Sequence, residues 1–302
     1  MASAPTMRAT FDELFEDLDP YLSSVAWLNY AEHPDEYSMC GNIMNSDQYR
    51  ETDFAVAELG QLQKKLEGSA IEVDSIMPSY SKQFTHSTWA LGVEVTMEAI
   101  EDDKQGIMTD MAAALGLSVR QTVETLAANA WFNDAFSTET AMDGAAVYGT
   151  HTTAVGDTIT NTASVDLDVG GIRQMLVHFA KLVSERGNKI RGQCYTLIVP
   201  PELQFKANEL VASALRPDGD SNATNTIQDF NLKVMVNHWL SSDTAWFGWG
   251  APDQIKAKWY WRKRPQGVSD TRYANQSALS GILFRASFGV SDYRLLWGSE
   301  PS

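Results

Sequence analysis

The stretch Glu98-Ala-Ile-Glu-Asp-Asp-Lys-Gln-Gly-Ile-Met-Thr-Asp-Met-Ala-Ala-Ala-Leu-Gly-Leu-Ser-Val-Arg-Gln-Thr-Val-Glu-Thr-Leu-Ala-Ala-Asn-Ala-Trp-Phe-Asn-Asp-Ala-Phe136 decides how the rest of this chain is read. Ile107, Met111, Leu115, Val119, Val123, Leu126, Ala130 and Trp131 recur at spacings of mostly three and four, which keeps one apolar stripe on one helix face. Glu98, Glu101, Asp102 and Asp103 crowd the start, where the helix dipole favours negative charge. The pattern predicts one helix over 98–136, longer than globular helices usually run, and so a body that is broad rather than ball-like.

Upstream, the texture is that of strands. Ser69–Ser75 alternates around Ala70, Ile71 and Val73, Pro78 interrupts, and Tyr80, Phe84 and Trp89 lead into Leu91, Val93 and Val95 at period two. This reads as a long two-stranded arm. An isolated hairpin is marginal in water, so the arm needs its own domain or another subunit to lie on. Further upstream, Thr10-Phe-Asp-Glu13 fits a capping box opening a helix over 10–30, with Pro20 an interruption. Residues 31–52 read as a polar connection, and 53–67 as either a short helix or an extended lead-in.

Downstream, Val147–Asn161 reads as a small hairpin and Asp168–Lys189 as an amphipathic helix ended by Gly187 and Asn188. Its apolar face is Ile172, Met175, Leu176, Phe179 and Val183. Tyr195–Val199 is a strand stopped by Pro200-Pro201, which open another helix. Residues 216–226 form a long polar loop. Strands follow at Val234–Val236, Ala245–Trp249, Ile255–Trp261 and Gly281–Val290, which suits a mixed α/β lobe.

Composition narrows the function. The chain has 302 residues and a net charge of −16, with nine Trp and ten Tyr. Such a charge repels phosphate and argues against broad duplex-DNA binding. Apolar runs are too short to cross a bilayer, and the N-terminus lacks an apolar signal core, so folding in a cytoplasm is expected. Cys40 and Cys194 lie in no metal or redox motif and read as buried free thiols.

Chemistry is sparse. Gly219-Asp-Ser221-Asn222 resembles a serine-esterase signature, but it follows a helix and reads better as a solvated loop than as a nucleophile turn. His33, His86, His151, His178 and His238 have no ligand spacing. The acidic cluster at 98–103 is explained by the helix dipole without a metal. Lys256-Ala-Lys-Trp-Tyr-Trp-Arg-Lys-Arg264 puts Lys256, Lys258, Arg262 and Arg264 on one strand face and Ala257, Trp259 and Trp261 on the other. The basic face suits salt bridges to a neighbouring subunit better than single-stranded nucleic acid. No cofactor and no enzymatic activity are expected.

Several pieces in this order resemble the major capsid proteins of tailed bacteriophages, with the Hong Kong ninety-seven type of fold. They are Leu91-Gly-Val-Glu-Val-Thr-Met-Glu-Ala-Ile-Glu-Asp-Asp103, Ala112-Ala-Ala-Leu-Gly116, Asn129–Phe136, Tyr195-Thr-Leu-Ile-Val-Pro-Pro-Glu-Leu203 and Phe288-Gly-Val-Ser-Asp-Tyr-Arg294. The resemblance implies an α+β fold with an N-terminal arm (1–59), an extended β-hairpin loop (60–96), a peripheral domain (97–165 and 274–302) and an axial domain (166–273). It implies a structural protein assembling into pentamers and hexamers of an icosahedral head shell around double-stranded DNA, itself contacted weakly. The shell would assemble in the host bacterial cytoplasm and reside in the virion. Ile71, Val73, Tyr80, Phe84 and Trp89 would contact a neighbour, and Met111, Leu115, Val119 and Val123 would line the spine helix. Since fold-like pattern starts within the first few dozen residues, a separate scaffolding protein is implied, with a portal and, in some relatives, decoration proteins. Lys82 lies in the arm, with no acceptor legible for a crosslink. A cellular nanocompartment shell of the encapsulin type would look alike, and a hydrolase using Ser221 is the reading from another class.

Overall fold

The computed structural model describes residues 23–75, 77–102, 106–215, 224–272 and 276–301. The chain begins with a helix over 23–32 (α1), a single turn Tyr37–Cys40 (α2) and strands Asn42–Asn45 (β1) and Arg50–Ala57 (β2). Strands Met77–Thr85 (β3) and Ser87–Thr96 (β4) lead into helices Met97–Asp102 (α3) and Ile107–Ala128 (α4). Short strands Thr150–Thr152 (β5), Thr158–Thr160 (β6) and Thr162–Ala163 (β7) precede helix Val169–Lys181 (α5). Then come Thr196–Val199 (β8), helix Gln204–Ala212 (α6), Lys233–Val236 (β9), Trp246–Trp249 (β10), Ala257–Arg272 (β11), Ser277–Val290 (β12) and Leu296–Ser299 (β13).

Two sheets carry the body. One has the order β7-β13-β10-β8-β9, with β10 antiparallel to both β13 and β8. Alternation along β10 explains its place. Trp246 points into a core with Ile172 and Met175 of α5 and Leu197, while Phe247 and Trp249 point into a second core with Trp131 and Phe132. Every residue of β10 is buried, as expected for a strand covered on both faces. The second sheet has the order β1-β11-β12-β4, with β4 at its edge. Its inner face carries Trp259 and Trp261, whose rings lie 5.2 Å apart in an edge-on arrangement, and Trp259 stacks on Phe288 at 4.9 Å.

Helix α4 runs beneath this second sheet. Leu115, Val119 and Val123 are buried, so the apolar stripe read from sequence faces the core. An added Cβ at Gly116 would stand 2.0 Å from the Ala26 carbonyl, so glycine is what lets the backbones of α1 and α4 meet. Arg120 and Glu124, one turn apart, use that proximity differently. Arg120 donates to the Tyr30 carbonyl from Nε at 3.2 Å and from Nη2 at 3.1 Å. Glu124 accepts from the backbone N–H groups of Glu36 at 3.2 Å and Tyr37 at 2.8 Å, pinning α2. Burial holds the Glu124 carboxyl at about 7.

Several expectations are corrected. The stretch 98–136 is not one helix. α3 ends at Asp102, and α4 starts after Gly106, whose φ of +74° is a left-handed backbone that glycine adopts without a steric penalty. α4 then continues as a π-helical turn, Asn129–Asn133, which presents Trp131 and Phe132 to the core. Helix α5 stops at Lys181 rather than near Gly187. Leu182 turns extended, and Val183 bridges Lys189 across a turn in which Gly187 has φ +76°. The strand pairing of the arm also differs. β3 pairs antiparallel with β2, Arg50 opposite Thr85 and Ala57 opposite Met77, so 50–57 is strand and Ser69–Ser75 is not. The capping box at Thr10 and most of the 216–226 loop, Ser221 included, lie outside the described residues.

The expected hairpin at Val147–Asn161 is present as β5 and β6, and the strands around 196–199, 233–236, 246–249, 257–261 and 277–290 are present. The sheets cut across the expected domain limits. β11, expected in the axial segment 166–273, pairs with β12 along its length, and β13, expected in the peripheral segment, pairs with β10.

Candidate assembly interface

The arm is built from β2 and β3, and its root is fixed to the outer face of β11 and β12. Phe84 is 2% exposed and packs on Tyr260 of the same chain, ring centroids 5.4 Å apart. Asp53 accepts from the ammonium of Lys258 at 2.5 Å and from the Tyr260 hydroxyl at 3.2 Å, and it also accepts from the Ser291 hydroxyl. These donors hold its carboxyl below the usual range although burial opposes them. Lys82 donates to the Thr140 carbonyl at 2.5 Å, and burial lowers its pKa. At the hinge between β3 and β4, His86 sits between the hydroxyls of Ser46 and Ser287, each at 3.0 Å. One strand thus leaves the arm as β3 and joins the body sheet as β4.

Beyond the root the arm changes character. Residues 58–75 are exposed throughout, and Leu59, Leu62, Leu66, Ile71 and Val73 are among the most exposed apolar side chains, Val73 at 91%. Single exposed apolar residues are ordinary, but five on one projecting loop are a surface in search of a partner.

Two apolar clefts open on the body. The open face between α4 and the β4 edge holds a cleft of about 310 Å³ lined by Trp89, Ala90, Leu91, Ser118, Val119, Thr122, Ile282 and Phe284. A second cleft of about 210 Å³ lies between α1, α4 and the sheet, with Trp27, Val93, Met111, Leu115 and Val268 in its walls. Leu91 and Val268 are half exposed at their rims.

The sequence-predicted residues therefore divide. Ile71 and Val73 stand on the exposed tip, and Tyr80 is half-buried. Phe84 is a correction: enclosed in its own chain, it has no surface to offer a neighbour. Trp89 is half-buried and stacks on Phe284 of its own chain at 5.3 Å. Met111 is half-buried in the second cleft, while Leu115, Val119 and Val123 are core. The basic strand is amphipathic as read, with Ala257, Trp259 and Trp261 buried. Its charges, however, pair within the chain: Lys258 with Asp53, Arg262 with Asp47 at 3.6 Å, and Arg264 with the Asn45 amide oxygen at 3.3 Å. Lys256 is exposed. Asn45 and Asp47 come from β1 and its flank, placed beside β11 by a parallel pairing, and Asp53 comes from β2, a placement that local sequence cannot reveal. Leu59, Leu62 and Leu66 went unread because 53–67 carried no decisive periodicity.

The histidines and thiols serve structure. His151 is buried, 2.7 Å from Asp143 and stacked on Tyr293, and His178 packs on Trp297 with its pKa lowered by burial to about 4. His238 pairs with Glu36 at 2.6 Å. Cys40 and Cys194 are free and buried, and burial raises both thiols, Cys194 to about 12, so neither is a nucleophile near neutral pH. Among the described residues, no group of three or more His, Cys, Asp or Glu could hold a metal ion. No helix among them is long and apolar enough to cross a membrane.

A projecting β-arm hinged on a four-stranded sheet, a long helix under that sheet and a second α/β sheet together define the shell-forming Hong Kong ninety-seven type of fold. The chain matches the model of the phage capsid protein family over residues 79–295 and belongs to that family. Solved structures agree in fold. A chain from Microbacterium phage Oxtober96 is 14% identical, with a TM-score of 0.59 over 89% of this chain and 93% of that one. The capsid of Myoviridae phage XM1 matches at 10% identity and TM-score 0.54, over 90% and 93% of the two chains. A virus-like particle from Pyrococcus furiosus matches at 9% identity and TM-score 0.56, over 93% and 98%. No curated protein matches the chain by sequence. The protein is a major capsid protein, a structural subunit of a multimeric virion shell.

Proposed function

We propose that copies of this protein close into pentamers and hexamers of an icosahedral phage head, joined by the 50–85 arm of one copy lying over the α4–β4 face of the next. The observation that carries this reading is the arm's division into a pinned root and a tip that leaves Leu62, Ile71 and Val73 exposed. Such a tip leaves apolar area in water that only an intermolecular contact removes. The clefts beside Trp89 and Met111 supply apolar area of matching kind on the body. Rings of five and six copies call for heterologous contacts, which a hinged arm accommodates.

The net charge of −16 supports the rest of the reading. It keeps unassembled subunits apart and keeps the shell's grip on packaged double-stranded DNA weak. A separate scaffolding protein and a portal in the host cytoplasm complete the assembly, and a decoration protein is optional to it. The protein turns over no substrate, and the phage capsid family match favours a phage head over a cellular nanocompartment. Electron microscopy of the purified, self-assembled protein tests this. Closed shells with the 58–75 tip over a neighbouring α4 are expected, and shells in which each tip lies in solvent would refute the arm's role.

A further inference from the structure

The exposed tip of the arm is not loose. Its two limbs come together on the carboxylate of Asp74, which accepts from the backbone N–H of Gly60 at 2.8 Å and from the guanidinium of Arg186. The same guanidinium donates to the Ser75 carbonyl at 2.9 Å, and Asn188 donates to the Leu59 carbonyl at 3.3 Å. Arg186 and Asn188 belong to the tight turn after α5, closed by the N–H of Ser184 donating to the Asn188 carbonyl at 2.7 Å. That turn is itself anchored. The neighbouring Glu185 is buried, paired with Arg294, and accepts from the backbone N–H of Ala154 at 2.9 Å. The arm therefore touches its own chain at two places, the root on β11 and the tip on this turn, each more than a hundred residues from the arm in sequence.

We propose that the Arg186–Asn188 turn is a cradle that fixes the arm tip in unassembled subunits, with its apolar side chains left uncovered for a second copy of this chain. The pattern of contacts decides between holding the tip ready and holding it shut. A restraint that shut the arm would bury Leu62, Leu66, Ile71 and Val73, yet all four stay exposed while only polar and backbone groups engage the turn. A tip already ordered gives up less conformational freedom on docking, so the cradle lowers the cost of the first contact between copies. This inference rests on the reading that the arm docks on another copy.

The test uses full-length, unassembled subunits. Limited trypsin digestion at Lys64 and Lys65 reports tip order, and light scattering with electron microscopy reports the protein concentration at which shells appear. Arg186→Glu should speed cleavage several-fold and raise the threshold by about tenfold, with the melting temperature of the subunit unchanged. Combining it with Asp74→Arg should restore slow cleavage and most of the threshold. Asn188→Ala, which removes one contact without a charge, should move both readouts the same way by less. Wild-type cleavage and threshold in Arg186→Glu would overturn the cradle, and so would a lowered threshold, which would make it a restraint. Val73→Asp separates the two claims. If it assembles at the wild-type threshold, the docking reading itself fails; if it does not, and Arg186→Glu does, only the cradle fails.

Discussion

The pinned core around β10 and the tip of the arm use the same kinds of residue to opposite ends. Trp131, Trp249 and Phe132 are fully enclosed, with Trp249 stacked on Phe132 at 4.9 Å. Leu62, Leu66, Ile71 and Val73 stand in solvent. In the first region, apolar area stabilises one chain. In the second it contributes nothing to the isolated fold and is available between chains. The lesson is that substitutions in the two regions should separate: core changes should lower subunit stability, and tip changes should lower assembly alone.

The comparison would break most visibly at Trp249. Trp249→Ala should cost the subunit about 3–5 kcal/mol, measured by urea unfolding of unassembled protein, because the cavity is closed in on every side. A loss below 1 kcal/mol would mean the aromatic cluster is loosely packed.

Glu124 sharpens the same contrast through pH. Its folded carboxyl titrates at about 7 against 4.5 for the free group, because burial disfavours the charged form. The folded chain holds a proton that the unfolded chain has released. That contribution is therefore full below about pH 4.5 and is lost as pH rises through about 7. Relative to Glu124→Gln, the wild type should lose on the order of 2–3 kcal/mol across that window. Taking the difference between the two proteins cancels the opposing slope of His178, whose lowered pKa favours the fold at higher pH. Parallel pH curves would show that Glu124 is charged when folded.

At the arm's root, Asp53→Asn should cost about 1–3 kcal/mol, since Lys258 would lose its buried partner. It should also loosen the arm, visible as faster hydrogen exchange in β2 and β3. The smallest effect on stability is expected at the tip. Val73→Asp should change subunit stability by less than about 0.5 kcal/mol while reducing shell yield, read by sedimentation. A destabilised Val73→Asp subunit would show that the tip packs on its own body.

Much of the body was legible because its signals are local. Apolar spacing found α4 and α5, β-prone apolar runs found β8, β9 and β10, period-two alternation found β12, and the alternation of 256–264 found which face of β11 is buried. What was hidden depends on partners far along the chain. Ser69–Ser75 alternates like a strand, yet the segment that pairs with β3 is 50–57, so pattern alone chose the wrong limb of the arm. The interruption at Gly106 falls between an acidic first turn and the apolar stripe that starts at Ile107, and only the positive φ distinguishes it from a tolerated helix glycine. The basic strip looked unpaired because Asp53, Asp47 and Asn45 lie some two hundred residues upstream. The exposed tip was half found: Ile71 and Val73 were named, but neither the leucines beside them nor the Arg186 turn carries a motif.

The placement of β13 bears on how such subunits are made. Leu296–Ser299 lies inside its sheet, between β7 and β10, rather than on the rim. Neither neighbour can acquire its full set of main-chain partners until the ribosome has passed Ser299. A nascent polypeptide that has not reached Ser299 therefore holds β7 apart from β10, and this sheet is completed only by its last-made strand.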